Sequence, residues 1–265
     1  MIIIGELINA TRKKVGEALK ARDAGFFTSL ACAQDEAGAD VIDVNAGADP
    51  STELEDMRWA IGVVQEATAK PLAIDSPSPT VLRAGLESHQ GKARPMLNSV
   101  TLEADRLESV AALAVEFQTQ VVALAMGEAG MPCGQADRVH NAKRLIDELT
   151  ARGVAPEDIF VDPVITPVST DPTNGGAILG AIRQIRDYSP QGHVTCGLSN
   201  ISFGLPERKL VNRTFLALAL GAGLDSAIMD PLDREIMAVV YAAEALLGRD
   251  DFCMNYVMAS REGKL

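Results

Sequence analysis

The sequence predicts a (β/α)8 TIM barrel of the α/β class, eight parallel strands each followed by a helix. Three observations predict it. Short runs rich in β-branched residues alternate eight times with helical patterns. The runs are apolar without strict alternation, as in strands covered on both faces of a parallel sheet. No glycine-rich nucleotide turn marks an open doubly wound sheet. The 265 residues fit the roughly 250 that such a barrel needs, and no linker or charge run interrupts them, so 1–265 reads as a single domain.

Strands are expected near Ile2–Ile4, Val41–Val44, Pro71–Ile74, Pro95–Leu97, Gln120–Ala125, Ile159–Val161, Val194–Cys196 and Ser226–Met229. Between them, Thr52 and Glu55 read as a capping box ahead of Leu54, Met57, Ile61 and Val64, with Glu53, Glu55 and Asp56 as a solvated helix start. Ser78-Pro79 and Asp171-Pro172 read as N-caps followed by proline. Leu107, Val110, Ala114 and Phe117 form one stripe, and Val139, Ala142, Ile146 and Leu149 another. Leu210, Thr214, Phe215 and Leu218 share a face after the seventh strand, and Ile236, Val239, Val240, Ala243 and Leu247 form the last stripe. Gly38, Gly153, Gly192 and Gly223 sit where left-handed helix ends are expected. The tail from Asp250 to Leu265 lies beyond the eighth unit and reads as a cover or an interface.

A formal charge of −12, with scattered Lys and Arg, argues against nucleic-acid binding and against a membrane-surface helix. The four cysteines have no CxxC or metal-type spacing and read as reduced thiols, and no signal peptide or membrane-length apolar run is visible. A cytoplasmic protein is expected.

Chemistry in this fold sits just past the strand ends. Those positions carry Glu6 and Asn9, Asp43 and Asn45, Asp75-Ser76, Asn98-Ser99, Asp162, Ser199-Asn200 and Asp230. No lysine there suits a Schiff base, and no His/Asp/Glu cluster suits a bound metal, so none is expected. For phosphate near the last strands only Arg208 and Arg213 are available. A neutral ring with many donors and acceptors remains. An aminopyrimidinone fits, because a carboxylate accepts its paired N–H donors and an asparagine supplies both a donor and an acceptor.

The motifs Gly5-Glu6-Leu7-Ile8-Asn9, Asp43-Val44-Asn45-Ala46-Gly47, Ile74-Asp75-Ser76, Leu97-Asn98-Ser99, Asp162-Pro163, Gly197-Leu198-Ser199-Asn200 and Asn212-Arg213-Thr214-Phe215-Leu216-Ala217 stand in order along nearly the whole chain. Together they resemble the pterin-binding methyltransferases, and within these the methyltetrahydrofolate:corrinoid protein methyltransferases. The resemblance implies a pterin-binding TIM barrel, a homodimer, and methyl transfer between 5-methyltetrahydrofolate and the cobalt of a corrinoid (cobalamin) carried by a partner protein. It implies pterin-holding roles for Asp75, Asn98 and Asp162, a hydrogen bond from Asn200 to the methyl-bearing nitrogen, and a folate-lining role for Arg208. Ser199 and Glu6 complete the candidate set, together with Phe203, which stands where better-known members have a polar residue. Leu7 stands where they commonly have arginine.

Asn200 does not ionise, so it acts by donating a hydrogen bond, with the proton drawn from solvent near Asp75. Two other readings remain. A dihydropteroate synthase-like enzyme would need a Lys/Arg/Ser set for pyrophosphate near the sixth to eighth strands. A non-catalytic folate-binding subunit would bind without transfer. Taken singly, an Asp or Asn at a strand end is read as a cap for the next helix rather than as a ligand contact. Asp75, Asn98, Asp162 and Asn200 argue as a set.

Overall fold

The computed structural model describes every residue except Lys92 and Ala129. Eight strands form one sheet: β1 (Ile2–Asn9), β2 (Val41–Asn45), β3 (Leu72–Asp75), β4 (Met96–Val100), β5 (Gln120–Leu124), β6 (Ile159–Asp162), β7 (His193–Val194) and β8 (Ser226–Met229). All neighbours pair in parallel, in the order β7-β6-β5-β4-β3-β2-β1-β8. A parallel bridge between Gly197 and Ile228 joins the outer two, so the sheet closes as the sequence predicts.

The crossovers are α1 (Lys13–Lys20) and α2 (Ala24–Glu36) after β1, then α3 (Glu53–Ala67), α4 (Pro79–Ser88), α5 (Ala104–Glu116), α6 (Gly134–Ala151), α7 (Asn174–Tyr188) and α8 (Arg208–Ala222). After β8 come α9 (Arg234–Leu246) and α10 (Met254–Arg261). Among the described residues no helix is long and apolar enough to cross a membrane.

Strand residues divide by period two between two cores. Ile8, Ile42, Val44, Ile74, Leu97, Val121, Val161 and Val194 join the core between sheet and helices. Ile4, Val41, Ala73, Met96, Val122 and Phe160 fill the barrel lumen. Two residues further along the same inner faces stand Glu6, Asp43, Asp75, Asn98 and Asp162. An apolar plug therefore carries a polar layer at the C-terminal mouth.

Several local expectations are corrected. Thr52 takes a helical conformation and its hydroxyl donates to Asp56 (2.7 Å), so no capping box forms. Glu53 and Asp56 are buried rather than solvated, Asp56 being paired with Arg22 at 2.7 Å. Ser78 does precede Pro79, but its side chain caps nothing; its N–H donates to the Ser76 hydroxyl at 3.1 Å. Asp171 holds a turn two residues ahead of the cap position Thr173, accepting from Thr173 N–H at 2.8 Å, and α7 begins only at Asn174.

Gly38, Gly153 and Gly223 are left-handed as expected, whereas Gly192 is not. A Cβ on Gly192 would come within 2.9 Å of the Ser189 hydroxyl and 3.1 Å of the Pro156 carbonyl, so close packing requires glycine there. On α8 the stripe through Leu210 and Leu218 faces outward, and Phe215, Leu216, Ala219 and Leu220 turn inward.

Candidate active site at the C-terminal mouth

Register builds the polar layer. Asn45 pairs with Asp75 across β2 and β3, and Asp75 with Asn98 across β3 and β4, so the three form a row at one height. Asn45 Nδ2 donates to Asp75 Oδ2 at 2.9 Å, while Asn45 Oδ1 accepts from Gly47 N–H at 3.0 Å. Asn98 Nδ2 donates to Asp43 Oδ1 at 3.1 Å. Ser76 and Ser99 are buried at the adjoining tips, where Ser76 donates to Glu53 at 2.6 Å.

Burial sets the electrostatics, because removing water penalises a carboxylate. It pushes Asp43 well above the usual carboxylate range, with the charges of Asp75 and Glu6 adding to the effect and the bond from Asn98 opposing it. Asp75 is raised by burial against the bond from Asn45. Glu6 is raised by burial, partly offset by Arg12, whose Nη2 lies 2.7 Å away. Asp162 is pushed up to about 6 by burial, although Val164 N–H (2.7 Å) and Gly197 N–H (3.1 Å) each donate to one of its oxygens. Asp162 thereby ties the tip of β6 to the segment after β7.

That segment is a 3-10 turn, Leu198–Ser202, on which Ser199 is half-buried and Asn200 exposed. Among the described residues the Asn200 amide makes no side-chain hydrogen bond, unlike Asn45 and Asn98. Phe203 follows with 65% of its surface exposed, and the Arg208 guanidinium lies 5.7 Å from its ring centre. Arg208 binds inward, its Nε donating to Ser202 (3.0 Å) and its Nη2 to the Ser199 carbonyl (2.7 Å). It braces the turn that carries Asn200. Cys196 is fully buried, and burial raises its thiol well above the ordinary range, so it is core and not a nucleophile.

Sequence reasoning did not single out Asp43 and Asn45 as partners of Asn98 and Asp75, nor Arg106 and Arg138 as braces. Arg106 donates to the carbonyls of Ser76 (3.1 Å) and Ser99 (2.5 Å), joining the tips of β3 and β4. Arg138 is fully buried and donates to the Val164 carbonyl (3.3 Å) and the Thr166 hydroxyl (2.7 Å). For Arg106 the available signal was an arginine in the first turn of the helix that follows the Asn98-Ser99 tip.

A larger cavity of about 530 Å3 opens at the opposite end of the barrel, beside Met1, Asp40, Arg186, His193, Asp225 and Glu244. Most of its charges are paired: Asp225 lies 2.6 Å from Arg186 and 2.9 Å from His193, and Glu244 lies 2.8 Å from the N-terminal ammonium, while Asp40 accepts from the Ile3 N–H at 2.8 Å. Volume alone does not locate the chemistry; the less compensated carboxylates are at the mouth.

Several known proteins are similar to this chain. Methylcorrinoid:tetrahydrofolate methyltransferase from Eubacterium limosum is 39% identical over 267 residues, spanning 100% of this chain and 98% of that protein. Methionine synthase from Mycobacterium tuberculosis (strain ATCC 25618 / H37Rv) is 33% identical over 242 residues, 86% of this chain but only 20% of that longer protein. Dihydropteroate synthase from Xanthomonas albilineans, solved with 7,8-dihydropteroate, superposes with a TM-score of 0.69 at 20% identity, covering 93% of this chain and 92% of that one. At that identity the likeness shows the fold alone. Residues 5–230 match the pterin-binding enzyme family, and the chain belongs to it.

Proposed function

We propose that this protein moves a methyl group between 5-methyltetrahydrofolate and the cobalt of a corrinoid held by a partner protein. The observation that carries the reading is the 39% identity along the whole length to a relative named for that reaction. The mouth supports it with a row of hydrogen-bonding groups for a flat heterocycle and an unengaged asparagine beside them.

Asp75, Asn98 and Asp162 hold the pterin edge in this reading, and the amide of Asn200 faces the nitrogen that bears the methyl group. Ser199, Phe203, Arg208 and Glu6 line the approach, Arg208 chiefly by keeping the turn in place. When methyl passes to cobalt, the N–CH3 bond breaks and the nitrogen keeps its electron pair and takes a proton. A hydrogen bond from Asn200 strengthens as that charge changes, which favours the transition state over the bound substrate. A proton from solvent enters beside Asp75. The reverse direction uses the same groups.

Residues 1–265 act as one cytoplasmic domain in this reading, in a homodimer that the outward apolar residues Leu210 and Leu218 support. Dihydropteroate synthesis is disfavoured by where the cations go. Lys209 pairs with Asp233 (3.1 Å), Arg213 pairs with Glu235, and Arg208 is spent on Ser199 and Ser202.

The test is an anaerobic optical assay with purified protein, methyltetrahydrofolate and Co(I) cobalamin. Conversion to methyl-cobalt is the expected result. Folate binding without transfer to either free cobalamin or a corrinoid protein would favour a binding subunit, and absence of folate binding would overturn the pterin reading.

A further inference from the structure

Resting on that reading, the geometry points to Asp43 as a positioning residue that fixes which end of the Asn98 amide meets the pterin. Asp43 is only 2% exposed and lies below Asn45 on the same face of β2. Its partner Asn98 stands two strands away, on β4. The intervening β3 position level with Asp43 is Ala73, whose methyl leaves that span open.

A carboxamide has one oxygen and one nitrogen, and its two orientations present opposite chemistry to a ligand. Because Nδ2 of Asn98 is committed to Asp43, Oδ1 is the atom left for the mouth. Asn45 does the equivalent for Asp75. It occupies Oδ2, leaves Oδ1 free, and has its own oxygen held by Gly47. The mouth therefore shows two neighbouring acceptors, Asn98 Oδ1 and Asp75 Oδ1, which suit adjacent N–H donors on a heterocycle edge.

Burial holds Asp43 toward its neutral form, and the neighbouring carboxylates of Asp75 and Glu6 add to the effect. The carbonyl oxygen of a neutral acid still accepts from an amide. An asparagine at position 43 keeps nearly the same shape and the same acceptor, and a leucine keeps the volume without it.

The experiment is equilibrium titration with 5-methyltetrahydrofolate, alongside steady-state methyl transfer to cobalamin and thermal melts. Wild type is compared with Asp43→Asn, Asp43→Leu, Asn98→Ala and the double variant Asp43→Leu/Asn98→Ala. Asp43→Asn is expected to bind within about three-fold of wild type, and Asp43→Leu about ten-fold more weakly. The loss should appear in KM, with kcat nearly kept. In the Asn98→Ala background, Asp43→Leu should add less than about two-fold, since its effect runs through that amide.

Additive losses, or Asp43→Asn as weak as Asp43→Leu, would overturn the role of Asp43 while leaving the methyltransferase reading intact. Wild type that binds no folate would overturn both. Should Asp43→Leu fail to fold, Asp43→Ala replaces it in the same cycle with the same expectations.

Discussion

The two ends of the barrel use the same residue types to opposite effect. At the N-terminal end of the barrel Asp225 is surrounded by Arg186, His193 and the Val194 N–H at 2.8 Å, and these partners hold its carboxyl below the usual range against the effect of burial. At the mouth, burial wins for Glu6, Asp43, Asp75 and Asp162, and all four are raised. Paired carboxylates contribute stability. Carboxylates buried without enough partners cost stability and keep acceptor capacity for a ligand. The contrast separates scaffold from site more sharply than cavity size does.

The largest expected effect lies at the mouth. Asn200→Ala should lower the methyl transfer rate by about 10²–10⁴-fold, the range typical of assisting a leaving group. Folate affinity should change much less, because the lost bond is strongest in the transition state. Stopped-flow single-turnover transfer, read beside a folate titration, checks this. Equal losses in rate and affinity would make Asn200 a binding residue only.

At the N-terminal end, Asp225→Ala should destabilise the protein by about 2–3 kcal/mol, since it leaves Arg186 Nη2 and the Val194 N–H without their carboxylate partner. Methyl transfer per folded molecule should be unchanged. Because the folded-state pKa of Asp225 is depressed, its contribution is present above the ordinary carboxylate pKa and fades as pH falls through the lower folded value. Urea unfolding of wild type and variant at pH 7 and in acid measures both points. A variant that unfolds normally but turns over slowly would erase the distinction between the two ends.

Asp162 gives the mouth a pH signature of opposite sign. Its folded pKa of about 6 exceeds that of an unfolded carboxylate, so stability from this group is greatest at low pH and declines as pH rises from about 4 to about 6. A ligand held by the ionised form follows the reverse trend. Folate binding should weaken by up to about ten-fold per pH unit below about 6. Calorimetric titrations from pH 5 to 8 test this, and a flat profile would remove Asp162 from the ionised acceptors.

Strands and barrel closure were legible in eight apolar runs that alternate with helical patterns, and the polar mouth in the Asp and Asn residues just past those runs. What was not legible depends on register and side-chain direction. Nothing local says that Asn98 turns its nitrogen two strands sideways to Asp43, or that Asn45 spends both ends on Asp75 and Gly47. Arg208 read as a ligand-facing cation. It turns back on its own loop after Glu207 adopts a left-handed conformation (φ 48°), a path set by how the 3-10 turn meets α8. The outward stripe on α8 shows the same limit. Spacing identifies residues that share a face, and packing against α7 and α9 decides which face is buried.

The smallest predicted effect concerns the rim between the two regimes. Lys209 lies close to the mouth, but its ammonium is 3.1 Å from Asp233, which also accepts from the Ile236 N–H at 3.4 Å at the start of α9. With the lysine largely exposed, the pair contributes at most about 1 kcal/mol, because solvent screens the ammonium and its long side chain loses freedom. Asp233 keeps its role at the helix end when the lysine is removed. Lys209→Ala should therefore shift stability by less than about 1 kcal/mol and folate kinetics by less than about two-fold. A dihydropteroate synthase-like enzyme would depend on such a cation for its departing pyrophosphate. A large kinetic loss in Lys209→Ala would place phosphate chemistry at this rim, and a near-silent variant leaves the mouth to a neutral ring.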